Sequence, residues 1–183
     1  MKTRAWLAIS AILAIIIIVL LTNAMDTQEK KPTGLILKSS AFREGEMIPA
    51  KNTCDGDNVN PLLEIRNIPI GTLSLALVVE DPDATGGKVW DHWLIWNIEA
   101  KTQYISEDNL PFGAVQGTTS FGKQKYGGPC PPRGNSPHRY MFKIYALDAL
   151  LDLPAGSTKV ELEKAMAGHI LAQTVLTGLY SRK

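Results

Sequence analysis

The chain has 183 residues, 45% of them hydrophobic and 20% charged, with 19 Lys and Arg set against 18 Asp and Glu for a formal charge of +1. That makeup excludes a disordered polar chain, which has too little apolar surface to bury, and a strongly basic nucleic-acid binder. It suits one ordinary globular domain carrying an additional apolar segment.

The apolar excess lies at the start. Lys2 and Arg4 precede an apolar run from Ala5 to Leu21, broken only by Ser10 and followed by Thr22-Asn23-Ala24. A cleaved signal peptide has an apolar stretch of about 7 to 15 residues and a small-x-small site, whereas a spanning helix needs about 20. This run falls between the two. Thr22-Asn23-Ala24 is a poor cleavage site and the Ile15 to Ile18 cluster favours the bilayer, so residues 1–25 read as an uncleaved membrane anchor, with a cleaved signal peptide as the alternative. No Cys follows the run to carry a lipid. The two leading basic residues place the N-terminus inside and the domain outside the cytoplasm, periplasmic or at the cell surface, anchored or secreted. Asp26 to Pro32 is a polar linker, and the domain spans 33–183. Setting aside Lys2, Arg4, Lys30 and Lys31, and the acids Asp26 and Glu29, leaves 15 basic and 16 acidic residues, a domain charge of −1. Without a basic stripe, nucleic acid is not an expected partner.

Beyond the linker the sequence is written in short strands. Leu73 to Glu80 alternates, then turns β-branched, and stops at Asp81-Pro82-Asp83. Trp90 to Ile98 is aromatic or apolar at nearly every position, which suits a strand covered on both faces. Glycine and proline clusters punctuate the rest of the domain. Gly117 to Lys123 has the spacing of a phosphate-binding P-loop, but Gln124 stands where a Ser or Thr must hold magnesium and no helix can open there. The stretch from Tyr126 to Pro137 is rigid with Pro and Gly and delivers into a strand, His138 to Leu147. That strand places His138, Tyr140, Phe142 and Ile144 on one face and Arg139, Met141, Lys143 and Tyr145 on the other. Thr158-Lys159-Val160-Glu161 is a capping box, after which Leu162, Ala165, Met166 and Ile170 recur at helical spacing, with Gly168 as the stop. The pattern predicts a mainly β fold: a two-sheet antiparallel β-sandwich with one or two peripheral helices.

Candidate chemistry gathers at strand ends. His92 and His138 each lie near the end of a strand that follows an acidic or proline-rich loop. Imidazoles can donate hydrogen bonds to an oxyanion while a carboxylate fixes the tautomer. Asp81 is the expected carboxylate, and Asp83 the second choice because a turn Asp commonly bonds its own backbone. Tyr140 adds a phenol on the face of His138, and Trp90 shares a face with His92 by the same two-residue spacing. Trp93 and Trp96 are read as packing residues. Together these side chains would line a cavity for a phosphate or similar head group. Asp81, His92 and His138 are metal-ligand types without close spacing, so neither a metal nor another cofactor is expected. No Gly-x-Ser-x-Gly elbow supports a serine hydrolase. Cys54 and Cys130, both in loop-like sequence, allow one intramolecular disulfide in an oxidising compartment, with two free thiols as the alternative.

Five segments in order, Pro49 to Pro61, Asp81-Pro82-Asp83, Trp90-Asp91-His92, Tyr126 to Tyr140 and Ala165 to Ala172, resemble the phosphatidylethanolamine-binding protein family in its bacterial and archaeal Raf-kinase-inhibitor-like branch. The resemblance covers nearly everything after Gly34 and implies the same sandwich. It further implies that Asp81, Trp90, His92, Pro131, His138 and Tyr140 line an anion pocket for phosphate-bearing or phospholipid head groups. The chain departs at Cys130, where mammalian members carry a small residue, and at Asp91, where they carry a second His. The C-terminal helix that gates the mammalian pocket has no counterpart carried over past Tyr180. The resulting expectation is a non-enzymatic binding protein. Two other readings stay open: inhibition of a protease or kinase through the loop from Gly113 to Gln124, and hydrolysis of a phosphoester with His92 and Asp81 as acid and base.

Overall fold

The structure is a computed structural model that describes Gly34–Lys183. The expected N-terminal anchor or signal segment and its linker lie outside the described residues. Among the described residues, no helix is long and apolar enough to cross a membrane.

Among the described residues, eight strands form two antiparallel sheets. β1 (Ile36–Ser39), β2 (Leu63–Arg66) and β5 (Tyr104–Ile105) make a small sheet in the order β1-β2-β5. β3 (Ser74–Asp81), β4 (Trp90–Glu99), β6 (Val115–Gln116), β7 (His138–Leu147) and β8 (Ile170–Tyr180) make a larger one in the order β6-β4-β3-β7-β8. Between the sheets, Leu37, Leu63, Ile65 and Ile105 share a buried core with Leu75, Leu77, Val79, Ile95, Phe142 and Ile144. The far face of the large sheet is covered as well, by Leu151 and by Leu162 and Met166 of the helix α1 (Lys159–Met166), which pack on Ala76, Val78, Leu94 and Trp96. Burying Leu162 and Met166 stabilises the helix docking by about 2 kcal/mol each. This second cover explains why β3 is buried at every position. Trp93 and Trp96 pack in opposite layers, as the packing reading expects.

The strand β7 runs over the residues its alternation predicts, and its inward set from His138 to Ala146 is buried. The capping box also forms: Thr158 Oγ1 accepts from the Glu161 N–H, and the Glu161 carboxylate accepts from the Thr158 N–H at 2.7 Å. The helix ends earlier than its spacing suggests. Ile170 opens β8 instead and is 42% exposed, because Gly168 takes a φ of +84° and turns the chain back along β7. Gly178 inside β8 looks like a breaker but serves close packing, since a Cβ there would meet Ile48 at 2.5 Å and Phe42 at 2.7 Å.

β4 departs from regular alternation twice. Val79 pairs with Trp93 while Glu80 pairs with Asp91, so His92 is an extra residue; farther on, Leu77 pairs with Ile95 and Leu75 with Ile98, where Asn97 takes a φ of +56°. Each bulge resets which face the next side chain meets. At the first, Trp93 and His92 both face the small sheet and Asp91 turns to the helix side. Cys54 and Cys130 are joined in a disulfide with Cα atoms 5.4 Å apart, closing a separation of 76 residues.

Candidate ligand-binding site

At one end of the large sheet, the first residues of β4 and β7 and the last of β3 converge. Asp81 ends β3 and is 4% exposed. Its Oδ2 accepts from His138 Nδ1 at 2.8 Å, and its Oδ1 accepts from the Asp83 N–H at 2.8 Å. The bond to Oδ2 fixes the ring of His138 and leaves Nε2 as its remaining nitrogen. His138 and Tyr140 share the inward face of β7, as their spacing predicts.

His92 reaches the same place through its bulge. It is 3% exposed, and its Nδ1 lies 2.5 Å from the Gly127 carbonyl. A carbonyl only accepts, so Nδ1 carries the proton and Nε2 is left for anything entering the site. Burial pushes this imidazole down, against the opposing pull of Gly127 and the charges of Asp81 and Asp91. The ring stands edge-on to Tyr140 at 5.1 Å and to Phe121 at 5.3 Å, and Phe121 stands edge-on to Trp90 at 5.4 Å.

These groups line a half-open cavity of about 210 Å³. Trp90, Phe121 and Pro132 form apolar walls, Cys130, Ala84 and Thr85 part of the rim, and His92, His138 and Tyr140 supply the polar atoms. Tyr140 is 1% exposed, and its hydroxyl meets no partner at ordinary hydrogen-bond distance among the described residues, although the Asp81 carboxylate is near enough to act on it. Burial, then the charge and the side chain of Asp81, push the phenol up and keep its proton on.

The expected residues thus fall into three groups. Trp90, His92, His138 and Tyr140 line the cavity together, and Asp81 supports it from behind His138. Asp83 is spent elsewhere: its carboxylate accepts from Arg139 N–H, Nε and a guanidinium nitrogen at 2.7 to 2.9 Å, and the hydrogen bonds from Arg139 hold it down to about 2. Pro131 is buried in the chain beneath the rim, and its neighbour Pro132 does the lining. Asp91 faces away, 2.8 Å from Lys159 Nζ on the helix side, where Lys159 also meets Glu80 at 3.0 Å. Its charge is compensated and does not confront the cavity. Phe121 and Pro132 were missed by sequence reasoning. Phe121 carried a signal, as an aromatic between glycine-rich turns with no strand to bury it.

The sequence matches the model of the phosphatidylethanolamine-binding protein family over residues 38–181. A UPF0098 protein of Pyrococcus horikoshii is 45% identical over 151 residues, covering 79% of this chain and 76% of that one. Among solved structures, a phosphatidylethanolamine-binding protein homologue from Chlamydia trachomatis superposes with a TM-score of 0.78 at 38% identity, covering 82% of this chain and 99% of its own. YbcL of E. coli, described as a member of the mammalian family, gives 0.77 at 33% identity over 81% and 99%.

Proposed function

Because this chain belongs to the phosphatidylethanolamine-binding protein family, we propose that it is a binding protein whose end-of-sheet cavity takes a small oxyanion, a phosphate or phosphate-bearing head group. The observation that carries this reading is the buried Tyr140 hydroxyl, which among the described residues meets no partner at ordinary hydrogen-bond distance, set in one cavity with two imidazoles whose Nδ1 atoms are already tied back. A buried polar group left unpaired costs about 1 to 3 kcal/mol, which an accepting ligand oxygen returns. The apolar walls favour a small ligand and shield part of each hydrogen bond from water.

Support for binding over turnover comes from Asp81. The hydrolase reading needs it as an acid or base facing the ligand, but it is buried behind His138, bonded to that ring, and does not line the cavity. Calorimetric titration with phosphate and phosphorylethanolamine tests the proposal. Wild type binds, Tyr140→Phe binds about tenfold more weakly, in line with loss of one hydrogen bond to a charged acceptor, and neither releases product from a chromogenic phosphoester. Equal affinity of the two proteins removes the phenol from the site and the proposal with it.

A further inference from the structure

A second hollow of about 150 Å³ shares two walls with the first, Phe121 and Cys130. The shared wall is held firmly. Thr119 N–H and Oγ1 both donate to the Lys123 carbonyl, at 3.0 and 2.9 Å, which closes the turn that carries Phe121. Ser120 N–H donates to the Asp91 carbonyl, and its Oγ accepts from the Asp91 N–H, fastening the turn to β4. Gly127 lets the ring lie flat against the backbone, since a Cβ there would meet it at 2.5 Å.

The second hollow differs from the first in charge. Lys123 and Lys125 line it, both exposed, and among the described residues neither has a carboxylate within ion-pair distance. Two of its other polar groups are engaged: Tyr126 donates to the Asn52 carbonyl at 2.8 Å, and the Asn58 side-chain oxygen accepts from the Gly128 N–H at 2.7 Å. No Asp or Glu lines it; Asp57 and Asp108 border a separate hollow, which Lys125 also touches. What remains is an apolar floor of Phe121 and the disulfide, beneath two unpaired ammonium groups.

Building on the oxyanion reading of the first cavity, we propose that the two hollows form one site for a two-centre anion. The ligand class is a phosphomonoester with a second negative group on a short arm. The phosphate sits among His92, His138 and Tyr140, the arm crosses Phe121 and Cys130, and the second charge meets Lys123 and Lys125. Unpaired lysines beside an apolar crossing select such a ligand over a plain phosphate, because only the second charge uses them.

Calorimetry with glycerol 3-phosphate and 3-phosphoglycerate tests this, since the latter has a carboxylate where the former has a hydroxymethyl group on the same phosphate arm. In low salt, wild type binds 3-phosphoglycerate about tenfold more tightly, the scale of two exposed ion pairs, and the advantage fades as salt screens it. In Lys123→Ala/Lys125→Ala the advantage disappears. Equal binding of the two ligands by wild type, or an advantage that survives the double substitution, overturns the two-centre site and leaves the phosphate cavity standing. If wild type binds neither ligand, the oxyanion reading fails and the two-centre site falls with it.

Discussion

The two ring nitrogens of His92 have different fates, and that asymmetry sets how the cavity responds to pH. Nδ1–H is held by the Gly127 carbonyl, so the neutral ring offers Nε2 only as an acceptor. To donate to an oxyanion, the ring must take up a proton that burial opposes. An anion at Nε2 supplies the missing compensation, so binding and protonation are coupled. Lowering the pH therefore stabilises the liganded form more than the free form. Sulfate keeps a fixed charge over roughly pH 5 to 8, where histidine titrates. Its affinity is expected to rise as pH falls, by up to about tenfold per pH unit for one coupled proton, with proton uptake visible as a buffer-dependent heat. In His92→Gln, whose amide donates without a proton, the slope flattens; a wild-type affinity independent of pH would rule His92 out as the donor. At this scale the sequence was partly legible. His138 and Tyr140 share a strand face two residues apart, which alternation fixes. Pro131 and Pro132 lie in a rigid loop where no periodicity assigns a side, and there the expectation missed the lining residue by one position.

Among the elements, β4 does most to shape the cavity, through an irregularity that hydrophobic pattern cannot reveal. Apolar residues cover both of its faces, so an extra residue at His92 leaves no trace in the pattern. Without the bulge, His92 would face α1 and Asp91 would face the small sheet. The helix helps hold the actual arrangement. Lys159, in the first turn of α1, meets Asp91 at 2.8 Å and Glu80 at 3.0 Å, and Lys143 adds a second cation to Glu80. Burial works against the charge of Lys159, yet Asp91 and Glu80 hold it above its ordinary value. Lys159→Met strips Asp91 of its cation and is expected to destabilise the domain by about 1 to 3 kcal/mol, below the range for a fully buried pair because both groups keep some solvent contact. Denaturant unfolding measures that loss. Phosphate affinity should drop as well, because Asp91 no longer anchors the bulge, and Lys159→Arg should restore both. A variant that loses stability while keeping wild-type phosphate affinity would separate the helix from the site. β8 escaped detection for a different reason: the helical spacing reads on to Ile170, an internal glycine interrupts the segment, and its apolar residues do not alternate regularly.

On the scale of the whole domain, residues distant in sequence meet at the rim, and three kinds of tie hold them. The disulfide joins Cys54 to Cys130; Arg182 grips the Asp55 carboxylate, which also accepts from Tyr180 Oη at 2.8 Å; and the Gly134 N–H donates to the Arg182 carbonyl at 3.0 Å. The sandwich was readable from alternation, capping and turn residues, since these are local. The closing of the rim was not, apart from the single pairing open to two cysteines, because ionic ties such as Asp55 to Arg182 depend on chain ends that only the completed fold brings together. The covalent tie ought to matter most for stability. Closing a loop of 76 residues removes unfolded-state entropy worth about 4 kcal/mol, less any strain in the folded form. Reduction, or Cys54→Ser/Cys130→Ser, should therefore shift the denaturant midpoint down by that order with little loss of secondary structure, since no strand depends on the bridge. Because Cys130 walls both hollows, the reduced protein should also bind 3-phosphoglycerate more weakly than the oxidised protein under conditions where both remain folded. Unchanged stability on reduction would mean that the ionic and backbone ties of Arg182 already restrain the rim without the bridge.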